Sequence, residues 1–170
     1  MWYVIQVIGG QEQIVIRQIN KLVDKSAYID CFVPQYEVKK KFSGVWKYCE
    51  EILFPGYVFV DTKTPELLKR ELYKVSRMTK LLHDGNEHFV PLVDEEKTLI
   101  SAFIGDDDYV MKMSEGIIEG DEIVILKGPL MNHIGLIKKI DRHKRLAYLE
   151  VQMFGRTLTA KAGLEIVKKH

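Results

Sequence analysis

The side chains best suited to binding another molecule lie in the uncharged segment of residues 52–60. It contains the aromatic residues Phe54, Tyr57 and Phe59, and Pro55 and the glycine after it interrupt the run. An ordinary buried strand avoids such a pair, because proline donates no hydrogen bond to a neighbouring strand and glycine has no side chain to pack. Beyond the break, Tyr57 and Phe59 share one face of a strand, since side chains alternate. These rings either fill a core or form an apolar dock for a partner.

Basic residues provide a second kind of binding chemistry, contact with nucleic-acid phosphates. Arg70, Lys74 and Arg77 lie at i, i+4 and i+7 on a predicted helix, and each phosphate contact would add salt-dependent affinity. Arg17 and Lys21 form a pair on the preceding helix. Four lysines interleaved with three rings on which bases can stack form a further cluster: Lys39, Lys40, Lys41 and Lys47 with Phe42, Trp46 and Tyr48. A solvated helix face and a solvated hairpin explain the same residues, so both interpretations stay open.

No pattern of residues indicates catalysis or a bound metal. The chain has no GxSxG, no phosphate-binding loop and no dinucleotide fingerprint. Cys31 and Cys49 lack CxxC spacing and paired histidines, so we expect reduced, structural thiols. His83 and His88 flank a predicted turn, and the acidic residues 106–108 are best explained by a solvated linker. We therefore expect a protein that is not an enzyme and that holds no metal or cofactor.

The elements that must position these residues are predicted from hydrophobic periodicity and from breakers. The first helix should bury Val15, Ile19 and Leu22, and the second should bury the residues at 68, 72 and 75. The predicted order is a strand over 2–7, a helix over 11–23, a strand over 29–33, a hairpin or flexible loop over 38–46, the aromatic strand, a helix over 66–75, a hairpin across 81–90 and a helix over 94–103.

The last third of the chain is predicted to form short strands separated by turns. They are predicted over 123–126, 136–140, 146–153, 157–160 and 164–167. About five such strands at this spacing favour a small barrel. Gly128 and Pro129 should set a turn, and Gly135 should admit a backbone geometry that a Cβ would obstruct.

Composition bounds the class of protein. A chain of 170 residues that is 46% hydrophobic and 29% charged can form one good domain or two small ones. No apolar run approaches the roughly 20 residues that cross a bilayer, so we expect a cytoplasmic protein without a membrane partner. Residues 1–115 hold 15 Lys/Arg against 18 Asp/Glu, whereas residues 116–170 hold 10 against 6. This asymmetry hints at a basic C-terminal module facing nucleic acid.

Two motifs together resemble those of the NusG family of transcription elongation factors. Residues 120–130 (GDEIVILKGPL), followed by Gly135-Leu136-Ile137, resemble the KOW motif. Trp2-Tyr3-Val4-Ile5-Gln6, followed about 50 residues later by Phe54-Pro55-Gly56-Tyr57-Val58, is similar to the NusG N-terminal domain. The resemblance implies three parts: an α+β domain over 1–104 with a four-stranded antiparallel sheet flanked by helices, a linker over 105–115, and a small all-β SH3-like KOW barrel over 116–170.

The resemblance also implies partners and the residues that bind them. In NusG proteins an apolar depression on the N-terminal domain receives the clamp helices of RNA polymerase. Carried over by motif, the polymerase-binding residues are Trp2, Phe54, Pro55 and Tyr57, while Val58 and Phe59 belong to the core. The turn Phe154-Gly155-Arg156 matches one that contacts a small-subunit ribosomal protein, which assigns that role to Phe154 and Arg156. A monomer without cofactors is expected.

Within the family, the likeness is greatest to the specialised paralogues called LoaP. It rests on residues 32–34 (FVP), 39–41 (KKK), 44–46 (GVW) and 50–54 (EEILF). This likeness implies processive antitermination in particular operons, guided by a hairpin in the nascent RNA. A general NusG factor, which modulates pausing, termination and transcription–translation coupling, stays open as the alternative. RNA contact by a further basic group is also open: Lys138, Lys139, Arg142, Lys144 and Arg145.

Overall fold

The computed structural model describes residues 1–75, 89–105 and 108–169. The predicted hairpin across 81–90 falls mostly outside these ranges, as do Arg77, His83, His88 and the acidic residues at 106 and 107. Contacts between residues divide the chain into two units, Met1–Val33 with Phe54–Lys97 and Pro34–Leu53 with Thr98–His170. No helix in the described ranges is long and apolar enough to cross a membrane.

Strands dominate both units, and three α-helices accompany them in the described residues. The helices are α1 Glu12–Leu22, α2 Pro65–Glu71 and α3 Asp94–Phe103, with single 3₁₀ turns at Lys25–Ala27, Leu72–Lys74 and Ile134–Leu136. The strands are β1 Trp2–Gln6, β2 Asp30–Phe32, β3 Gln35–Phe42, β4 Val45–Ile52, β5 Tyr57–Asp61, β6 Phe89–Pro91, β7 Val110–Met111, β8 Ser114–Glu119, β9 Glu122–Lys127, β10 Ile137–Asp141, β11 Leu146–Met153 and β12 Arg156–Lys169.

The first unit contains the predicted four-stranded antiparallel sheet. Its strands lie in the order β2-β5-β1-β6, and all neighbours are antiparallel. Ile5 and Val60 are buried at its centre. The aromatic strand begins at Tyr57, because Pro55 and Gly56 form a turn in which Gly56 has φ +88°. That conformation favours glycine, since a Cβ is strained there.

The helices of this unit bury the predicted faces with one exception. Leu68, Leu72 and Val75 are fully buried, which confirms the inward face of the second helical segment. In α1 the prediction for Leu22 is wrong, because its side chain is 42% exposed. The helix ends there, and the next residue, Val23, takes extended backbone angles and is buried in its place.

In the second unit, residues 35–52 form a long antiparallel hairpin rather than a flexible loop. Ser43 and Gly44 connect β3 to β4 with φ values of +48° and +82°, as a tight type I′ turn requires. Strand β7 pairs in parallel with β3, opposite Gln35 and Tyr36. Val110 and Met111 are therefore buried strand residues, in a segment for which the sequence predicts a solvated linker. The domain bounds themselves stay a prediction.

The C-terminal strands form a five-stranded sheet in the order β10-β11-β12-β8-β9. Neighbours are antiparallel except for β12 and β8, which are parallel. Strand β8 has no counterpart among the predicted strands. The two strands predicted over 157–160 and 164–167 are a single strand, since Gly163 does not interrupt β12. Instead a Cβ at Gly163 would lie 2.2 Å from the carbonyl oxygen of Glu37, so this glycine permits close approach of β3.

At two other positions, the glycine that the packing requires is Gly128 rather than Gly135. An added Cβ at Gly135 would meet no heavy atom within 4 Å, so the predicted steric need for glycine there is wrong. At Gly128, which has φ +106°, a Cβ would lie 2.5 Å from the Cα of Ser114. Ser114 is buried, and its hydroxyl accepts a hydrogen bond from the Leu130 amide at 3.0 Å. Gly128 is therefore the glycine that the packing requires.

The two free cysteines should differ in reactivity toward iodoacetamide at pH 8. Cys31 is buried in β2, and burial, with a smaller effect of the Asp30 charge, raises the pKa of its thiol to about 12. Cys49 in β4 is partly exposed. We expect alkylation of Cys49 to be at least about tenfold faster, because the accessible thiolate is the reacting form. Mass spectrometry of tryptic peptides measures both rates, with denatured protein as the control. Equal rates in the native protein would contradict the burial of Cys31.

Candidate binding surfaces

One face of the first sheet carries a row of aromatic rings. The register pairs Phe59 of β5 with Val4 of β1 and with Phe32 of β2, which places the side chains of Trp2, Phe32 and Phe59 on one face. Ring centroids are 5.2 Å apart between Trp2 and Phe32, 5.5 Å between Phe32 and Phe59, and 6.3 Å between Phe59 and Phe54. These separations are typical of favourable aromatic pairs.

The four predicted polymerase-binding residues differ in accessibility. Trp2 is half-buried, with the Lys97 ammonium 5.0 Å from its ring centroid, and Pro55 is exposed. Phe54 and Tyr57 are only 2% and 7% exposed. Val58 and Phe59 are fully buried, which confirms their assignment to the core. Of these four residues, Trp2 and Pro55 are therefore accessible to solvent, whereas Phe54 and Tyr57 are buried.

A buried carboxylate fixes the turn that presents Pro55. Glu12, the first residue of α1, is 1% exposed. Its carboxylate accepts hydrogen bonds from the amide of Gly10 at 2.9 Å and from the amide of Gly56 at 3.0 Å. The Gly56 carbonyl in turn accepts a hydrogen bond from the Val7 amide at 2.8 Å. Sequence reasoning missed Glu12, although its position three residues before Val15 places it on the inward face of α1.

The basic residues on the helices are only partly available. Arg17, Lys21 and Arg70 are exposed, and no ion pair involves them within the described ranges. Lys74 instead pairs with Glu71 at 2.8 Å, and this hydrogen bond is the main cause that lowers the pKa of the Glu71 carboxyl. Of the predicted basic stripe, the described residues include exposed Arg70 and the paired Lys74, and Arg77 lies outside them.

Each face of the β3–β4 hairpin carries both lysines and aromatic rings. Lys39 lies opposite Tyr48 and Lys41 opposite Trp46, so these four side chains share one face. The opposite face carries two further cross-strand pairs, Lys40 with Lys47 and Phe42 with Val45. The Lys39 ammonium is 5.0 Å from the centroid of the Tyr48 ring. The rings near the turn are exposed, as base stacking requires.

A polar network joins this hairpin to the five-stranded sheet. Glu165 of β12 pairs with Lys39 at 3.2 Å and with the guanidinium of Arg145 at 3.6 Å. The hydrogen bond to Glu165 is the main cause that raises the pKa of Lys39. Arg145 also stacks on Trp46, with its central carbon 3.9 Å from the ring centroid. Lys39 and Arg145 therefore join the hairpin to the five-stranded sheet through their contacts with Glu165 and Trp46.

A second carboxylate neutralises Lys40. Glu51 pairs with the Lys40 ammonium and accepts a hydrogen bond from the Tyr36 hydroxyl at 2.5 Å. Burial by itself raises the pKa of Glu51, but the hydrogen bonds from Lys40 and Tyr36 lower it overall. Burial, followed by the bond to Glu51, raises the pKa of Tyr36. Lys41 and Lys47 have no such carboxylate partner among the described residues, so they remain available to an anion.

The predicted partner-binding turn joins β11 to β12. Phe154 and Gly155 have φ values of +56° and +74°, and Met153 pairs with Arg156 across them. This is the glycine-containing hairpin turn that the sequence predicts. Phe154 has a positive φ within it, which is uncommon for residues other than glycine. Of the further basic group, Lys138, Lys139, Arg142 and Lys144 are exposed. The described residues contain no group of three or more potential ligands that could hold a metal ion.

Comparison with known proteins identifies the family. A family model described as "Transcription termination factor nusG" matches residues 1–101, more than half of the chain. The chain belongs to the NusG family. It is a transcription termination/antitermination factor of that family, and the resemblance seen in the sequence is confirmed at this level. The greater likeness to LoaP stays a prediction.

Curated relatives named NusG match nearly the whole of this chain and nearly the whole of their own length. The transcription termination/antitermination protein NusG of Borreliella burgdorferi is 23% identical, over 99% of this chain and 97% of its own. NusG of Pseudomonas aeruginosa is also 23% identical with the same coverage, and NusG of Campylobacter jejuni is 26% identical over 99% of this chain and 96% of its own.

One solved structure has a related fold. It is described as "Domain interaction in Thermotoga maritima NusG" and superposes with a TM-score of 0.52 at 22% identity. The match covers 95% of this chain and 92% of that chain. At this identity the likeness concerns the fold.

Proposed function

We propose that this protein binds RNA polymerase through its N-terminal region and promotes processive antitermination in particular operons, guided by a hairpin in the nascent RNA. The observation that carries the proposal is the family match over residues 1–101, a segment that includes the whole aromatic row. The stretches that resemble LoaP support the operon-specific part. The basic hairpin supplies exposed cations and rings of the kind that bind RNA.

The proposed polymerase surface runs along the aromatic row. Half-buried Trp2 lies at one end of the row, and exposed Pro55 lies beside Phe54 at the other end, on the turn that Glu12 holds. A pair of partner helices binds well to such a surface, because large aromatic side chains dominate interface energies. Phe54 and Tyr57 take part by supporting the turn rather than by direct contact.

Replacing Trp2 by alanine should weaken the affinity for RNA polymerase by about tenfold or more, the effect of losing an aromatic anchor. Fluorescence anisotropy of labelled protein with purified polymerase measures this change. The matched control is Tyr73→Ala, which removes an exposed ring from the 3₁₀ turn that follows α2. It should change affinity less than about twofold.

Trp2 also packs on Phe32, so the thermal unfolding of the variant must be recorded alongside binding. Pro55→Ala provides a second variant at an exposed position, with an expected loss of affinity in the same direction. Unchanged affinity in folded Trp2→Ala and Pro55→Ala proteins would rule out this surface.

The C-terminal residues are assigned two supporting roles. The five-stranded sheet supports assignment of residues 116–170 to a KOW domain, after a first domain over 1–104 and a connection over 105–115. Phe154 and Arg156 lie at the tight turn and are proposed to contact a small-subunit ribosomal protein. The bend holds both residues at the same end of the sheet.

A general NusG factor is the second candidate function. The observation that favours it is the set of full-length matches, which carry the name transcription termination/antitermination protein NusG. Such a factor would act on any transcript, whereas the operon-specific factor requires its leader hairpin. The two candidates therefore predict different responses to the template.

A further inference from the structure

A cavity of about 420 Å³ lies within the second unit, between the β3–β4 hairpin and strands β11 and β12. Both walls contribute side chains, among them Lys41, Trp46 and Glu51 from the hairpin and Lys144, Tyr148 and Lys161 from the sheet and its turn. Its volume is within the usual range of small-ligand pockets, roughly 300–1,000 Å³. It can accept a nucleotide but not a double helix.

The cavity has an excess of positive charge. Five lysines line it, against the single carboxylate of Glu51. Lys39 and Lys40 have carboxylate partners, as described above. Lys41, Lys144 and Lys161 are exposed, and within the described ranges none of them forms an ion pair. Like charges gathered in one cavity repel one another, and a bound phosphate would relieve that repulsion.

The same cavity contains aromatic surface next to these cations. Tyr148 lies on the sheet wall, with the ammonium groups of Lys139 and Lys161 at 5.6 and 5.9 Å from its ring centroid. Trp46 lies on the hairpin wall, where Arg145 already covers one side of its ring. A planar base can stack on Tyr148 while its phosphate contacts the adjacent lysines, which is the usual arrangement in single-strand binding.

We propose that this cavity, a cleft between the hairpin and the sheet, binds one unpaired nucleotide of a single-stranded RNA segment. Lys41, Lys144 and Lys161 hold its phosphate, and Tyr148 stacks on its base. Paired bases are not free to enter, so the cleft selects loops and unpaired ends over helical RNA. The inference rests on the proposed RNA guidance and adds the place where an unpaired base of the leader is held.

Fluorescence anisotropy of the full chain with labelled oligouridine tests the proposal, with a blunt RNA duplex of equal length as the comparison. The double variant Lys41→Ala/Lys144→Ala should lose about tenfold or more in affinity for the single strand. The slope of log K against log salt should fall by up to about 0.7, the contribution of the single phosphate that these lysines hold. Lys112→Ala/Lys127→Ala removes two lysines of the same unit outside the cleft, and should change affinity less than about twofold.

Tyr148→Leu separates stacking from charge. It should weaken single-strand binding about fivefold or more with the salt slope unchanged, because a base–ring contact is lost and no phosphate contact is. Thermal unfolding of each variant establishes that it is folded. Equal losses in the two lysine double variants would overturn the proposal, as would duplex affinity equal to that for the single strand.

Polymerase binding, measured on the same proteins, separates this proposal from the proposed function. Lys41→Ala/Lys144→Ala should bind polymerase as the unchanged protein does. If the unchanged protein binds polymerase but not oligouridine, the cleft assignment alone is wrong. If it binds oligouridine through the cleft but not polymerase, the proposed function is wrong and the cleft stands.

Discussion

Replacing Gly163 by alanine should detach the β3–β4 hairpin from the five-stranded sheet and lower the free energy of unfolding by about 2–3 kcal/mol. An added Cβ would lie 2.2 Å from the carbonyl oxygen of Glu37 and 2.6 Å from Cγ of Met113. The carbonyl belongs to the backbone of β3, so it can move only if the strand moves. The Glu37 carboxylate also accepts a hydrogen bond from the Met113 amide at 3.2 Å, which ties the same segment in place. Urea unfolding of both proteins measures the loss.

Gly135→Ala is the matched control, since it adds the same methyl group at a glycine of the same unit. No heavy atom lies within 4 Å of the new Cβ there, so stability should change by less than about 0.5 kcal/mol. If Gly163→Ala is as stable as Gly135→Ala, β3 does not lie against β12 as described. Gly163→Ala should also weaken oligouridine binding, because the hairpin forms one wall of the cleft.

The second large effect is expected from Glu12→Ala, which should lower the free energy of unfolding by about 3 kcal/mol. The substitution leaves the amides of Gly10 and Gly56 without the carboxylate that they share, at a buried position. Because these bonds also fix the turn beside Pro55, affinity for polymerase should fall in the folded fraction. Differential scanning calorimetry and polymerase anisotropy measure the two effects.

Two further variants test this explanation of Glu12. Glu12→Gln keeps one acceptor oxygen and should therefore lose less stability than Glu12→Ala. Glu66→Ala removes an exposed carboxylate from the first turn of α2 and should change stability by less than about 0.5 kcal/mol. A Glu12→Ala protein as stable as Glu66→Ala would show that the shared carboxylate does not hold the turn.

Local pattern was sufficient to predict most elements of the first unit. Alternation identified β1 and β5, and spacing of three and four residues identified the buried face at Leu68 and Leu72. Leu22 was assigned inward because periodicity does not report where a helix ends. The aromatic strand starts at Tyr57 because the glycine before it needs a positive φ, which a count of apolar residues does not reveal.

Contacts between distant segments were the part that the sequence could not provide. The sequence predicts separate strands on either side of Gly163, and only the approach of Glu37, far away in the chain, explains why glycine is required there. The hairpin groups with the C-terminal strands for the same reason. Lys39 and Glu165 form an ion pair across 126 positions, and no local periodicity encodes such a pair.

The candidate site was predictable in its residue types but not in its accessibility. The motif identified the aromatic residues at positions 2, 54 and 57, and the core assignment of Val58 and Phe59 is confirmed. Burial of Phe54 follows from a row of rings contributed by three strands and a turn, which only the register brings together. Tyr148 was not among the predicted binding residues, because β11 must lie beside the hairpin before its ring lines a cleft.

The most direct test of the function is transcription in vitro by the cognate RNA polymerase through intrinsic terminators, with and without a candidate leader hairpin upstream. We expect the protein to increase read-through only on templates that encode the hairpin, and we expect Trp2→Ala to abolish the increase. Equal effects on all templates would favour the general NusG factor over the operon-specific one. Read-through that does not respond to the protein on any template, with polymerase that does not bind it, would contradict the account.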